Sequence, residues 1–148
     1  RLFIANGDGT FTESALAAGI DDKAMGRGLV CFDYDKDGDQ DLYIANHNQT
    51  PKLFCNQGTN NNFINIRLVE KTTNTQAIGA RIYVKTATSQ QMRELRTGNN
   101  FVSQNPVEAH FGLHKTTNIE YIRVVWPDSK ETQINDVNSN QFLIIERI

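Results

Sequence analysis

From Asp33 to Asp41 the chain reads Asp33-Tyr34-Asp35-Lys36-Asp37-Gly38-Asp39-Gln40-Asp41, with an aspartate at every odd position and a glycine after the third. Carboxylates crowded this closely repel one another, by about 1 kcal/mol per close pair in water and about 4 kcal/mol at an effective dielectric of about 20. A hard divalent cation reverses that sign. Calcium takes about six to eight oxygens in a flexible shell, so alternate side chains of one tight loop plus a backbone carbonyl can fill it, whereas magnesium demands a near-ideal octahedron. The pattern therefore points to Ca2+ as cofactor, with side-chain ligation by Asp33, Asp35, Asp37 and Asp41 and a backbone carbonyl from Asp39. Gly38 supplies the sharp turn, because glycine alone takes positive φ without cost. The bland alternative is a solvated acidic turn, but charge runs rarely repeat with period two around a single glycine.

The loop is not an EF-hand. That motif closes its shell with a bidentate glutamate at its twelfth position and lies between two helices. Here the twelfth position is Ile44, and the flanks Leu29-Val30-Cys31-Phe32 and Leu42-Tyr43-Ile44 are short runs rich in β-branched and aromatic residues. Such runs, bounded by turn residues, read as strands, so the loop is expected to join two of them. Asp41 stands in for the missing glutamate.

An echo frames this hairpin: Leu2-Phe3 precedes Asn6-Gly7-Asp8-Gly9-Thr10-Phe11, and Leu53-Phe54 precedes Asn56-Gln57-Gly58. A spacing of about fifty residues suggests a repeat architecture such as a propeller, in which one unit cannot cover its own apolar faces. On this reading the chain holds the tail of one repeat and most of the next, and it opens mid-pattern on Arg1-Leu2-Phe3 as a piece of something longer. Glu13 to Ala18 suits a short helix or a turn. Residues 1–58 should then pack against the rest of the chain or pair with another copy through an exposed sheet edge.

Gln57 to Asn62 is a Gly/Asn-rich stretch without an apolar residue and reads as a linker between two modules, 1–58 and 62–148. Beyond it Ile64, Ile66 and Leu68 alternate with Asn65 and Arg67, Ala80, Ile82 and Val84 with Arg81, Tyr83 and Lys85, and Ile122, Val124 and Trp126 with Tyr121, Arg123 and Val125. Period-two alternation marks half-buried antiparallel strands. Pro127-Asp128-Ser129 stops one strand and Phe142 to Ile145 makes the last. No amphipathic helix is evident after residue 60. The expected fold is all-β: one propeller-type repeat with a calcium hairpin, followed by a C-terminal antiparallel β-sandwich.

Composition narrows the function. The 148 residues are 39% hydrophobic and 22% charged with a net charge of −2, an ordinary globular balance without the basic face that nucleic-acid binding needs. No apolar run reaches membrane-span length. Nucleic acid and membrane insertion are therefore not expected. Cys31 and Cys55 flank adjacent strand-like segments and either form a disulfide in an oxidising compartment or remain two thiols. Asn48-Gln49-Thr50 is an N-glycosylation triplet, meaningful only in a eukaryotic secretory setting.

Two family patterns fit the chain in tandem. Gly28-Leu29-Val30, the Asp33-to-Asp41 loop with Leu42, and Ala45-Asn46 resemble the FG-GAP/VCBS-type propeller repeat. Ile78-Gly79-Ala80-Arg81, Arg93-Glu94, Gly98, Phe101-Val102-Ser103-Gln104, His110-Phe111-Gly112-Leu113, Val125-Trp126-Pro127 and Asp136-Val137 resemble the ASPIC/UnbV domain. The two resemblances imply calcium in the repeats, a secreted protein of the extracellular space or cell envelope, and adhesion to or recognition of a protein or glycan ligand. They supply no reaction. The chain departs from the second pattern at His114 and Lys130, where the family usually has glycine, and both look like turn positions.

Other residues invite chemistry without making a site. Ser103 lacks a nucleophile-elbow context and reads as a turn serine bonded to its own backbone. His47, His110 and His114 do not form a zinc spacing. Trp126 could stack on a sugar, but its place in an apolar alternation favours the core. Arg81, Arg93, Arg96 and Arg123 either gather into a patch for an acidic glycan or sit on the solvated face. Gly79 and Gly98 suggest bulges or close backbone approach. The expectation is a non-enzyme with no catalytic residues and no organic cofactor. The competing reading is a piece of a secreted carbohydrate-active or other hydrolytic enzyme, although Glu70, Glu94, Glu108, Glu120, Asp128, Glu131 and Asp136 form no recognisable pair. A third reading makes the second module the binding part and the repeat its scaffold.

Overall fold

The structure, a computed structural model, describes residues 1–58, 60–98 and 100–147. Thr59, in the expected linker, lies outside the described residues. Strands β1 (Phe3–Ala5) and β2 (Phe11–Glu13) form a hairpin whose turn is held by Asp8, which accepts from the Thr10 N–H (2.9 Å) and hydroxyl (2.6 Å). The 13–18 segment that suited a helix or a turn is a turn, with the Ala18 N–H donating to the Ser14 carbonyl and Ile20 to Ala15. Strands β3 (Gly26–Phe32), β4 (Asp41–Asn46) and β5 (Lys52–Phe54) make an antiparallel meander in that order. Leu29 pairs with Ile44, Val30 with Tyr43 and Cys31 with Leu42, so the acidic loop is the β3–β4 connection.

Asp22 fastens the approach to this sheet. Its carboxylate accepts from the Asn46 side-chain amide (2.9 Å) and the Ala24 N–H (3.1 Å) and pairs with the Lys52 ammonium (3.0 Å). The Asn46 bond first, then Lys52, hold its pKa at about 2 against an ordinary 3.8. Because the folded value is the lower one, the unfolded chain binds the extra proton between those pH values. The tether's contribution is therefore complete above about pH 4 and is lost as pH falls towards 2. A carboxyl-carbon NMR titration should place the Asp22 midpoint near 2; a midpoint near 3.8 would mean the tether does not form.

The second half holds β6 (Asn62–Val69), β7 (Arg81–Lys85), β8 (Gln90–Glu94), β9 (Ala109–His114), β10 (Asn118–Val125), β11 (Glu131–Asn138) and β12 (Gln141–Glu146). They form two sheets, β11-β10-β7-β8 and β12-β6-β9. The alternating residues make the core between them: Ile64, Ile66 and Leu68 of β6 and Phe111 of β9 are buried together with Ile82 and Val84 of β7 and Ile122 and Val124 of β10. Each such side chain contributes roughly 1.5–3 kcal/mol when fully buried. Trp126, just past β10, is 2% exposed and donates its indole N–H to the Thr132 hydroxyl (2.8 Å), with Arg147 over the ring. It is a core residue and offers no face to a sugar. Val125, on the opposite phase, is nonetheless buried too.

The fold is all-β and sandwich-type, and among the described residues there is no helix. One pairing departs from the antiparallel expectation: β12 runs parallel to β6, from Gln141 beside Ile64 to Glu146 beside Val69. Alternation cannot reveal this, because parallel and antiparallel neighbours present the same period-two faces. His114 has φ +52°, the left-handed geometry that explains why glycine suits its position; at the other departure the left-handed residue is Ser129 (φ +69°), one place before Lys130. Gly79 and Gly98 also have positive φ, and a Cβ at either would meet nothing within 4 Å. Backbone conformation, and not close approach, accounts for them.

Polar side chains join the halves. Strand β3 is the edge of its sheet, and its outer backbone groups are met by the 100–105 segment: the Leu29 N–H donates to Ser103 Oγ (3.0 Å), the Leu29 carbonyl accepts from Ser103 Oγ (2.7 Å) and Asn100 Nδ2 (2.7 Å), and the Cys31 N–H donates to Asn105 Oδ1 (3.0 Å). Ser103 thus bonds the backbone of Leu29 and not its own, and blunts an edge that would otherwise template further pairing. Cys31 and Cys55 are free thiols, and burial pushes the Cys31 pKa up.

Candidate metal centre

The β3–β4 loop folds back on itself through its own carboxylates. The Gly38 N–H donates to Asp33 Oδ2 (3.0 Å) and the Asp39 N–H to Asp37 Oδ1 (2.9 Å). This winding, with left-handed φ at Lys36 (+66°) and Gly38 (+96°), brings carboxylate oxygens of Asp33, Asp35 and Asp37 within 4.8 Å of one another. Among the described residues they are the one group of three or more His, Cys, Asp or Glu side chains so placed. Asp35 and Asp37 face solvent, whereas Asp33 is 3% exposed and its Oδ1 has no hydrogen-bond partner. Among the described residues two other buried side-chain oxygens share that condition, on Asn46 and Asn65, but both are amides; Asp33 alone of the three is a carboxylate. A buried carboxylate oxygen without a donor carries a full desolvation penalty. A hard cation removes it, and the all-oxygen donor set fits calcium.

Asp41 and Asp39 stand outside the trio. Asp41, fully buried, accepts from the Tyr34 N–H through Oδ2 (2.7 Å) and from the Asn56 N–H through Oδ1 (2.7 Å), which ties the loop's entry to the chain leaving β5. Each oxygen keeps a second lone pair. The Asp39 carboxylate lies so close to Gly58 that a Cβ there would fall 2.1 Å from its Oδ2. Burial, then the charge of Asp37, push the Asp39 carboxyl above the ordinary range, and His110 opposes them.

The loop is seated on side chains from the second half. The Phe63 ring covers Gly38, the His110 Nε2–H donates to the Gly38 carbonyl (2.8 Å), and the two rings stack with centroids 6.1 Å apart and planes inclined by 12°. Phe142 meets Phe63 edge-on at 5.5 Å, and the Lys36 ammonium lies 4.9 Å from the Phe142 centroid. Phe63, His110 and Phe142 lie outside the Asp33-to-Asp41 set that the sequence pattern indicates. The available signal was apolar residues on both phases, in Phe63-Ile64 and in the run Phe142 to Ile145, although the outer phase of β12 stays largely open, with Phe142 42% and Ile144 58% exposed.

The remaining candidates disperse. Arg93 and Arg96 line one 420 Å3 cavity with Glu94 and Glu108, and Arg96 pairs with Glu94 (3.0 Å). Arg123 lies over Tyr83 and pairs with Glu131 (2.8 Å), and neither it nor Arg81 lines that cavity. Glu70 and Asp128 both bind Arg147, and Glu108 accepts from Asn65.

Residues 70–148, which include β7 to β12 and the Trp126 corner, match the family described as ASPIC and UnbV. The chain belongs to that family. The match begins after the acidic loop and its meander. Over 59 residues the chain is 39% identical to cartilage acidic protein 1 of Homo sapiens, covering 39% of this chain and 9% of that protein. It is 40% identical over 60 residues to cartilage acidic protein 1 of Xenopus tropicalis (40% and 9% covered), and 39% over 54 residues to that of Mus musculus (36% and 8%). This ASPIC/UnbV chain spans less than a tenth of the length of those curated relatives.

Proposed function

We propose that this chain is a non-enzymatic extracellular module in which calcium orders the β3–β4 hairpin and the assembled surface recognises a protein or glycan. The observation that carries the reading is the partnerless, buried Asp33 Oδ1 in a carboxylate that converges with Asp35 and Asp37. Side chains of those three would hold the ion, with the Asp39 carbonyl and the free lone pairs of Asp41 completing its shell. The ion supplies charge compensation and no reaction. The FG-GAP/VCBS-type character of residues 1–58 belongs to this proposal, supported by the strand-loop-strand setting of the acidic motif. An extracellular setting is supported by the partial likeness to proteins named for cartilage, and sites in extracellular modules bind calcium at about 10⁻⁴ to 10⁻³ M.

Occupancy stabilises the native state by mass action, by about 1.4 kcal/mol at roughly ten times the dissociation constant. Calorimetric titration should therefore find one calcium per chain, and the melting temperature should be higher in calcium than in chelator. Asp37→Ala should abolish both responses while leaving the chelator melting curve within a few degrees of wild type, because Asp37 is exposed. A wild-type chain that neither binds calcium nor shifts its melting would overturn the reading.

A further inference from the structure

The geometry points to a two-way coupling between the cation loop and the ASPIC/UnbV sandwich, carried by the aromatic shelf of Phe63, His110 and Phe142, a coupling that rests on the cation site proposed above. The shelf grips the loop where its backbone is most constrained. Lys36 and Gly38 have left-handed φ, and these two residues are the ones held, Lys36 by the Phe142 ring and Gly38 by the Phe63 ring and the His110 N–H. Asp35 and Asp37 alternate with them, so fixing residues 36 and 38 fixes the backbone from which two of the three converging carboxylates project.

The shelf is itself rigidly mounted. Phe63 and His110 lie on paired strands β6 and β9, Phe142 lies on β12 beside them, and Asn140 brackets Phe63 by accepting from its N–H (3.1 Å) and donating its own N–H to its carbonyl (2.6 Å). Three carboxylates within 4.8 Å repel when no cation is bound, and an unsupported loop would open to relieve them. The shelf opposes that opening and so removes part of the ordering cost that calcium would otherwise meet. Linkage makes the effect reciprocal: calcium that holds the loop closed must hold the shelf contacts closed by the same factor.

The test uses the full chain with calcium alone, measured by calorimetry and by hydrogen exchange with and without the ion. Phe63→Ala is expected to weaken calcium binding about tenfold, and the milder His110→Gln, which removes the stacked imidazole, about fivefold, within the usual span of coupling free energies. In the wild type, calcium should slow exchange at the amides of residues 63–66 and 110–112 as well as in the loop, and Asp37→Ala should remove that slowing. Wild-type affinity in folded Phe63→Ala, or slowing confined to residues 33–41, overturns the coupling and leaves the site intact. If Phe63→Ala does not fold, unchanged affinity in His110→Gln overturns it equally. No calcium uptake by the wild type overturns the site, and the coupling with it.

Discussion

Replacing Gly38 with alanine is expected to destabilise the chain by about 3 kcal/mol or more and to eliminate calcium uptake, the largest effect of any single methyl group in the loop. Two independent causes add. The residue has φ +96°, a conformation that L side chains rarely adopt, and its Cβ would lie 2.0 to 2.6 Å from three carbons of the Phe63 ring. The ring cannot retreat, because it is stacked on His110, abuts Phe142 and is anchored through Asn140. The backbone must therefore move, taking the Gly38 N–H away from Asp33 Oδ2 and the carbonyl away from His110. Gly112→Ala is the matched control: its Cβ would meet nothing within 4 Å and its φ is not left-handed, so it should melt close to wild type. Denaturant unfolding and a calcium titration of both variants check the prediction. Wild-type melting in Gly38→Ala would show that Phe63 does not cover the loop.

Trp126→Ala should cost about 3–5 kcal/mol, the range for removing a large buried aromatic, with no change in calcium binding by whatever fraction stays folded. The indole fills the end of the core beyond Val124, its N–H is spent on Thr132, and Arg147 covers its face. Trp126→Phe separates packing from hydrogen bonding: it keeps most of the volume, leaves Thr132 without its donor, and should cost only about 1 kcal/mol. Chemical denaturation of the two variants gives both numbers. A small loss in Trp126→Ala would mean that the ring is a surface platform after all, and would revive the reading of this tryptophan as a sugar-stacking residue.

The two variants probe different layers of one design. Trp126 lies within the residues that match the family, whereas Gly38 lies outside them, where the acidic loop meets Phe63 of β6. The contacts between the two halves explain how a three-stranded meander with several exposed apolar side chains, among them Tyr43 and Leu53, is held in place. Polar side chains satisfy the β3 edge, and an aromatic shelf seats the loop.

Much of this was legible in the residues alone. The strands showed because backbone stereochemistry sends successive side chains to opposite faces, so Ile64-Ile66-Leu68 and Ile82-Val84 record burial at a range of two residues. The loop between β3 and β4 showed because short β-branched and aromatic runs flank the aspartates, and the turn at Gly38 showed because only glycine enters that region cheaply. What the tertiary structure decided is who meets whom across long separations. The parallel pairing of β12 with β6, the bonds from Ser103 and Asn105 to β3, and the bond from His110 to Gly38 all join residues more than seventy positions apart. Side-chain periodicity encodes which face is buried but not its partner, because one apolar or hydrogen-bonding surface is satisfied equally well by many others until the chain's connectivity selects among them.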